Sequence, residues 1–198
     1  MTFYLLLFIF WSITYSLIIA NNIKNKTIGF PLISIGMNFA WEIVATVFSF
    51  VNHYTNIQFV FIIWALLDVA VIVSTFIFCG FSIKRLLAFL ITFILTTTAL
   101  IFVFIYVPLG DAISCFAIDL LMAIDCLILI SKKDFPKNDL IIVFYFTKLL
   151  GDLFAWIYAL KSHLSILIMG ILVLLLNITT LLIALVNVYQ NKTKEKSH

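Results

Sequence analysis

Charge is what this chain has least of. Only 11% of its 198 residues are charged, while 65% are hydrophobic; soluble domains carry roughly 25% and 45–50% respectively. With a mean hydropathy of +1.24, too little polar surface remains to face water, which excludes a soluble globular domain. The net charge is only +3, and no basic patch is interleaved with polar groups, so no nucleic-acid partner is expected. Cysteine is scarce as well. Cys79, Cys115 and Cys126 are odd in number, lack metal-ligand spacing and lie in or beside apolar runs, which argues against a disulfide framework or a zinc site. They read as small buried apolar residues. His53 and His163 fall between apolar runs and none lies within one, so a haem held by two histidines inside a bundle has no ligands. No metal and no cofactor is expected. Internal repeats and low-complexity linkers are missing too.

Long apolar runs are what remains. They cover approximately residues 3–20, 29–51, 57–80, 86–107, 112–130, 140–160 and 164–189, each near the 20 or so residues that a membrane-spanning helix needs. None shows strand alternation, and in lipid the backbone must be satisfied within a helix or a closed barrel. The expected fold class is therefore all-α: a polytopic bundle of seven transmembrane helices forming one domain over residues 1–198, multi-pass in the cell membrane, with lipid around it. Nearly every residue is used by the seven runs, so no soluble domain is expected beside them. The first run has no basic residue before it and no small-residue cleavage site after it, so it reads as a helix, not a signal peptide. Polar breaks at 21–26, 52–56, 82–85, 108–111, 131–139 and 161–163 separate the runs.

Lys and Arg set orientation. Ten of the twelve fall in the first, third and fifth breaks and the C-terminal tail. Lys161 is alone in the other breaks, and Lys148 is inside a run. This bias places the N-terminus outside and the C-terminus in the cytoplasm.

Six charges sit where they are costly: Glu42, Asp68, Asp119, Asp125, Lys148 and Asp152. A charged group at a helix centre costs about 2.5–3.5 kcal/mol on insertion scales, so such groups usually face a bundle interior and mark function. Glu42 and Asp68 are deepest in their spans, and the short connection between their helices makes those helices expected antiparallel neighbours. Asn38 and Glu42 are four apart and share a face, so the amide can position the acid. Trp64 and Asp68 repeat the spacing. Lys148, Asp152 and Trp156 form a third ladder, extended by Tyr145. Each has a plainer reading. Glu42 and Asp68 could be buried acids bonded for helix packing, and Lys148 with Asp152 an ion pair neutralising two costly charges. Asp119 and Asp125 are six apart and point about 120° away from each other. Asp119 is deep enough to be a further cavity acid; Asp125 lies near a helix end and could simply reach headgroups.

The stretch Gly36-Met37-Asn38-Phe39-Ala40-Trp41-Glu42 resembles the Asn-x-x-Trp-Glu motif in the second helix of the seven-helix membrane-bound terpene cyclases, known from fungal meroterpenoid routes with bacterial relatives. Trp64-Ala65-Leu66-Leu67-Asp68 matches the Trp-x-x-x-Asp of their third helix. Helix number and motif order agree, best over about residues 30–85. The resemblance implies metal-free cyclisation of an isoprenoid or epoxy-isoprenoid chain, started by protonation. The helix-two glutamate of the family carries over to Glu42. The family's second acid, nearer the C-terminus, has no counterpart in the last helix, which offers Asn177 and Asn187; Asp152 is the only C-terminal acid within a span. Neither DDxxD nor DxDD occurs, so magnesium-assisted loss of diphosphate is not expected.

The expected machinery is thus Glu42, Asp68 and Asp152 as catalytic groups. Asn38, Trp41, Trp64, Asp119 and Trp156 would contact a hydrophobic isoprenoid substrate. An apolar cavity disfavours a charged carboxyl, which suits an acid that must hold its proton until a weak base arrives. Indole faces stabilise a carbocation by roughly 2 kcal/mol when desolvated. Two other functions use the same residues. A small proton-coupled transporter would employ intramembrane acids, although its spans would be broken by Gly or Pro in paired positions. A non-catalytic lipid-binding protein would keep the scaffold without the second acid. A retinal protein would want its lysine in the last span, unpaired.

Overall fold

A computed structural model describes residues 2–53, 58–132, 135, 138–159 and 164–196. Among them lie seven α-helices and no strand: α1 (Thr2–Asn25), α2 (Leu32–Val51), α3 (Gln58–Phe78), α4 (Ile83–Tyr106), α5 (Gly110–Ile130), α6 (Asp139–Tyr158) and α7 (Leu164–Lys196). All seven are long and apolar enough to cross a membrane. The breaks at 52–56 and 131–139 are described in part. The one at 161–163, with Lys161 and His163, lies outside the described residues.

Two helices outrun the expected ends. The polar stretch after residue 20 continues α1 to Asn25 because its amides are occupied. Asn22 Nδ2 donates to Ser74 Oγ (3.0 Å) and Thr75 Oγ1 (2.9 Å) of α3, and Asn21 Nδ2 to the Thr27 carbonyl (3.1 Å). Asn breaks a helix when its side chain competes for the backbone, and here the side chains are engaged elsewhere. The last helix runs on to Lys196, past residue 189, through residues of good helix propensity such as Gln and Lys. At the start of α6, Asn138 caps the helix by accepting from the Ile141 N–H (3.2 Å).

The helices close into a ring in the order α1–α3–α2–α4–α5–α7–α6 and back to α1, with α2 also reaching across to α5. The expected α2–α3 pairing is present. The chain nevertheless skips neighbours three times, from α1 to α2, from α3 to α4 and from α5 to α6. Gly80, at φ +89°, gives the second connection a left-handed residue that other side chains resist. Close approach of α2 to α4 needs Gly36, where a Cβ would stand 3.3 Å from the Phe89 carbonyl oxygen. Ile91, Leu95 and Phe102 of α4 are exposed, the apolar surface expected against lipid. Aromatic and aliphatic side chains fill the ring, among them Trp11, Ile35, Val71, Met122 and Tyr145.

Candidate functional site

The face of α2 bearing Asn38, Trp41, Glu42, Ala45, Phe48 and Ser49 follows the 3–4 spacing of one helical stripe. Its neighbours around the ring leave a cavity of about 270 Å³ against it. Trp11 and Tyr15 come from α1, Phe61 and Trp64 from α3, Phe104 from α4, Cys115 and Asp119 from α5, and Ala155 from α6. Apart from Tyr15, Asn38 and Trp41 near the middle of their helices, these positions occupy the N-terminal halves of α1, α3 and α5 and the C-terminal halves of α2, α4 and α6. The cavity therefore sits in the half of the bundle nearest the N-terminus, reaching Ser49, Asp111 and Ala159 at that end. From Asn38 to Ser49 the helix rises about 16 Å.

Aromatic rings make most of the wall. Phe48, Phe104, Trp41, Phe61 and Trp64 form an unbroken chain, with centroids 5.2 Å apart for Phe48–Phe104, 6.4 Å for Trp41–Phe104, 5.4 Å for Trp41–Phe61 and 6.3 Å for Phe61–Trp64. The Trp41 indole is fixed by donating to Ser114 Oγ (3.1 Å).

Glu42 is 2% exposed and its two oxygens differ. Oε1 accepts from the Tyr15 hydroxyl (2.7 Å) and from Asn38 Nδ2 (3.0 Å), while Oε2 has no partner among the described residues. Asn38 Nδ2 also reaches Asp68 Oδ2 (2.9 Å) and the Tyr15 hydroxyl oxygen (2.6 Å). One amide thus links two carboxyls and a phenol from three helices. The Trp64 indole N–H is likewise buried and unpartnered among the described residues. Unpaired buried polar atoms are uncommon and mark sites where something else is meant to bind or react.

The second group of charges lies off the cavity wall, against the Trp11 ring. Lys148 Nζ donates to Asp152 Oδ2 (2.7 Å) and to Asn177 Oδ1 (3.3 Å), and Asn177 Nδ2 donates to the same Asp152 oxygen (2.5 Å). The Trp11 ring stands over Lys148, 5.2 Å from Nζ to centroid. Asp119 lies within the field of Lys148 and Asp152 but makes no hydrogen bond among the described residues, and it is one of the residues lining the cavity.

Of the residues expected from sequence, Asn38, Trp41, Glu42, Trp64 and Asp119 meet around this one cavity. Asp68 stands behind Asn38, against a much smaller void of about 10 Å³ that Asn38, Val71 and Met122 also line. Asp152 is occupied by Lys148 and Asn177 and lies off the cavity wall. Trp156 is also off the wall; it packs with Phe116 and Ile166, and its indole donates to the Leu167 carbonyl (3.3 Å), tying α6 to α7. Asp125 does not simply reach for headgroups, for it accepts from Ser34 Oγ of α2 (2.6 Å). Sequence reading missed Trp11 and Tyr15. They stand four apart in α1, the same spacing that drew attention to Trp64 and Asp68. Among the described residues, no group of three or more His, Cys, Asp or Glu is placed to hold a metal ion.

No curated protein and no solved structure matches the chain. A family model does, over residues 1–135. The match spans α1 to α5, and so most of the cavity wall, and stops before α6 and the Lys148–Asp152–Asn177 group. This multi-pass chain of seven apolar helices belongs to the Pyr4-like transmembrane terpene cyclases.

Proposed function

We propose that the protein cyclises an isoprenoid or epoxy-isoprenoid chain by protonating it from Glu42, without a metal. The observation that carries this reading is the asymmetry of the Glu42 carboxyl. Oε1 takes two hydrogen bonds, so the acid's proton belongs on Oε2, the buried oxygen with no partner among the described residues, of a residue that lines the cavity. That proton passes to a terminal alkene, giving a tertiary cation, or to an epoxide oxygen, opening its C–O bond to a hydroxyl and a cation. The next double bond attacks the cation and closes a ring, and loss of a proton from an adjacent carbon restores an alkene. The sum is an isomerisation. Trp41, Trp64 and Phe61 present π faces that stabilise the migrating charge without capturing it.

Asp111 and Asp119 also lie on the wall; Asp111 is exposed at the bundle end, and we assign the final proton to the buried Asp119. That gain balances the one Glu42 gives up, and exchange with water at the Asp111 end resets both. Asp68 acts by holding Asn38. Asp152 acts through Lys148, which underlies Trp11. Both are positioning residues.

Cyclisation of isoprenyl and epoxy-isoprenyl acceptors by purified protein in D2O tests the reading. An olefin-initiated product should carry deuterium at the initiating carbon. Cyclic product formed from an olefin without that label would point to ionisation of a leaving group instead, and the proposal would fall; so it would if no acceptor in a broad panel were turned over. Tyr15→Phe removes one hydrogen bond to Oε1 worth about 1–2 kcal/mol, hence roughly a tenfold loss of turnover. Steady-state assay with unchanged substrate affinity is the check.

A further inference from the structure

We infer that Ser114 is a specificity-determining positioning residue: by holding the Trp41 indole it fixes where along the chain the migrating cation is stabilised, and so which cyclised product leaves. The inference rests on the cyclase reading for its chemistry. The hold on Trp41 rests on geometry alone.

The Ser114 bond has only one sense. A Ser hydroxyl offers one proton and two lone pairs. Ser114 commits its proton to the Asp111 carbonyl (3.0 Å), one turn back in α5. Its oxygen therefore accepts, and it accepts from Trp41 Nε1 (3.1 Å), 73 residues away in α2. The backbone beneath it is anchored as well, because Gly110 packs against the Val103 carbonyl of α4 so closely that a Cβ has no room. Ser114 is buried and is not among the residues lining the cavity. It does not touch substrate there, and its route to the reaction is Trp41.

Trp41 is the ring that most needs holding. It stands in the middle of the aromatic chain, nearly perpendicular to Phe61 (87°) and steeply inclined to Phe104 (64°). The torsion between an aromatic ring and its methylene is soft, so an indole without a partner swings. A swing takes its π face out of the place between Phe61 and Phe104. Trp64 supplies the contrast, for its indole N–H has no partner among the described residues. A ring holds a cation only where its face points at it. The fixed face of Trp41 therefore marks the place where charge is kept longest. A cation not held there loses its proton sooner and leaves as a less cyclised alkene.

Losing this bond leaves the helices in place. The α2–α5 crossing has a second bond, from Ser34 Oγ to Asp125 Oδ2 (2.6 Å), about 10 Å along α2 from Trp41. Ser114→Ala is thus a change of ring orientation more than of packing.

Protein carrying isotope-labelled tryptophan in detergent micelles shows each of its four indole N–H groups as one NMR resonance, and Trp41→Phe identifies that of Trp41. In Ser114→Ala this resonance should move upfield and broaden while the others stay. Ser114→Thr keeps the hydroxyl and should restore it. With an acceptor that wild type cyclises, Ser114→Ala should shift the product ratio roughly threefold to thirtyfold toward less cyclised alkenes. Total consumption should change less, and Thr should restore the ratio. In a Trp41→Phe background, Ser114→Ala should add nothing, the mark of an effect carried by the indole. If the Ala variant does not fold, Ser114→Cys takes its place, because a thiol is only a weak acceptor. An unmoved Trp41 resonance overturns the hold on the indole. An unchanged product ratio, or a further change in the Trp41→Phe background, overturns the role in specificity. No product from wild type would instead sink the cyclase reading and the role in specificity with it, and the resonance would still decide whether Ser114 holds Trp41.

Discussion

Glu42→Gln should abolish cyclisation while leaving the bundle intact. Gln keeps the length and shape of Glu, and its amide oxygen can still accept from Tyr15 and Asn38 at the place of Oε1. Only the acidic proton at Oε2 is lost. General acid catalysis contributes about 10²–10⁴-fold, and a substrate as weakly basic as an alkene puts the expected loss at the upper end, about 10³-fold or more, equivalent to about 4 kcal/mol of barrier. Thermal unfolding should stay near wild type, so the defect would be chemical. Full turnover by the Gln variant would remove Glu42 as proton donor. Glu42→Asp gives a second view: the acid survives but sits one methylene further from the cavity and from Tyr15, so partial activity is expected.

How far the sequence alone leads depends on the element. The stripe on α2 is fully written in it, because Asn38, Trp41, Glu42, Ala45, Phe48 and Ser49 obey one helical period whatever surrounds them. Asn38 as the partner of Glu42 follows from the same period. What periodicity does not carry is the ring order. Because the chain steps over a neighbour between α1 and α2, α1 meets α3 and α6, and Tyr15 comes to Glu42 across 27 residues of sequence. That placement also separates the acids. Asp68 and Glu42 share an amide, as adjacent helices allow, yet the carboxyl of Asp68 stands behind Asn38 and that of Glu42 in front. Depth in a span was legible; azimuth was not. The expected end of α1 failed for a related reason, since Asn22 looked like a helix breaker until its partners on α3 were in view.

The α7 position that looked empty of an acid is filled differently: Asn177 bonds the acid of α6. Asp119, expected as a lesser member of the site, stands on the cavity wall opposite Glu42's helix through the α2–α5 crossing. The site therefore has two chemically distinct ends. At one, a carboxyl is surrounded by neutral donors from Tyr15 and Asn38. At the other, the Asp119 carboxyl is buried and lies in the opposed fields of Asp152 and Lys148.

Asp152→Ala should be the most destabilising single change in the protein. Lys148 is 0% exposed and Asp152 1%, so the variant leaves an ammonium in a dry core with, among the described residues, only the Asn177 carbonyl oxygen, at 3.3 Å, to accept from it. Breaking a buried pair by removing one partner costs about 3–5 kcal/mol. A neutral side-chain hydrogen bond between membrane helices averages only about 0.6 kcal/mol, so the size of the loss distinguishes an uncompensated charge from a lost bond. Replacing both partners with apolar residues of similar volume, Lys148→Met with Asp152→Leu, should recover most of the stability, since buried pairs exchanged in this way are often neutral or better. Equilibrium unfolding in mixed detergent micelles measures all three proteins. An Asp152→Ala variant as stable as wild type would mean that Lys148 is not held charged by this pair. The double variant also separates structure from chemistry: a stable bundle that cyclises its substrate more slowly would show that the pair acts on the cavity through Trp11, whereas wild-type turnover would confine it to holding α6 against α7.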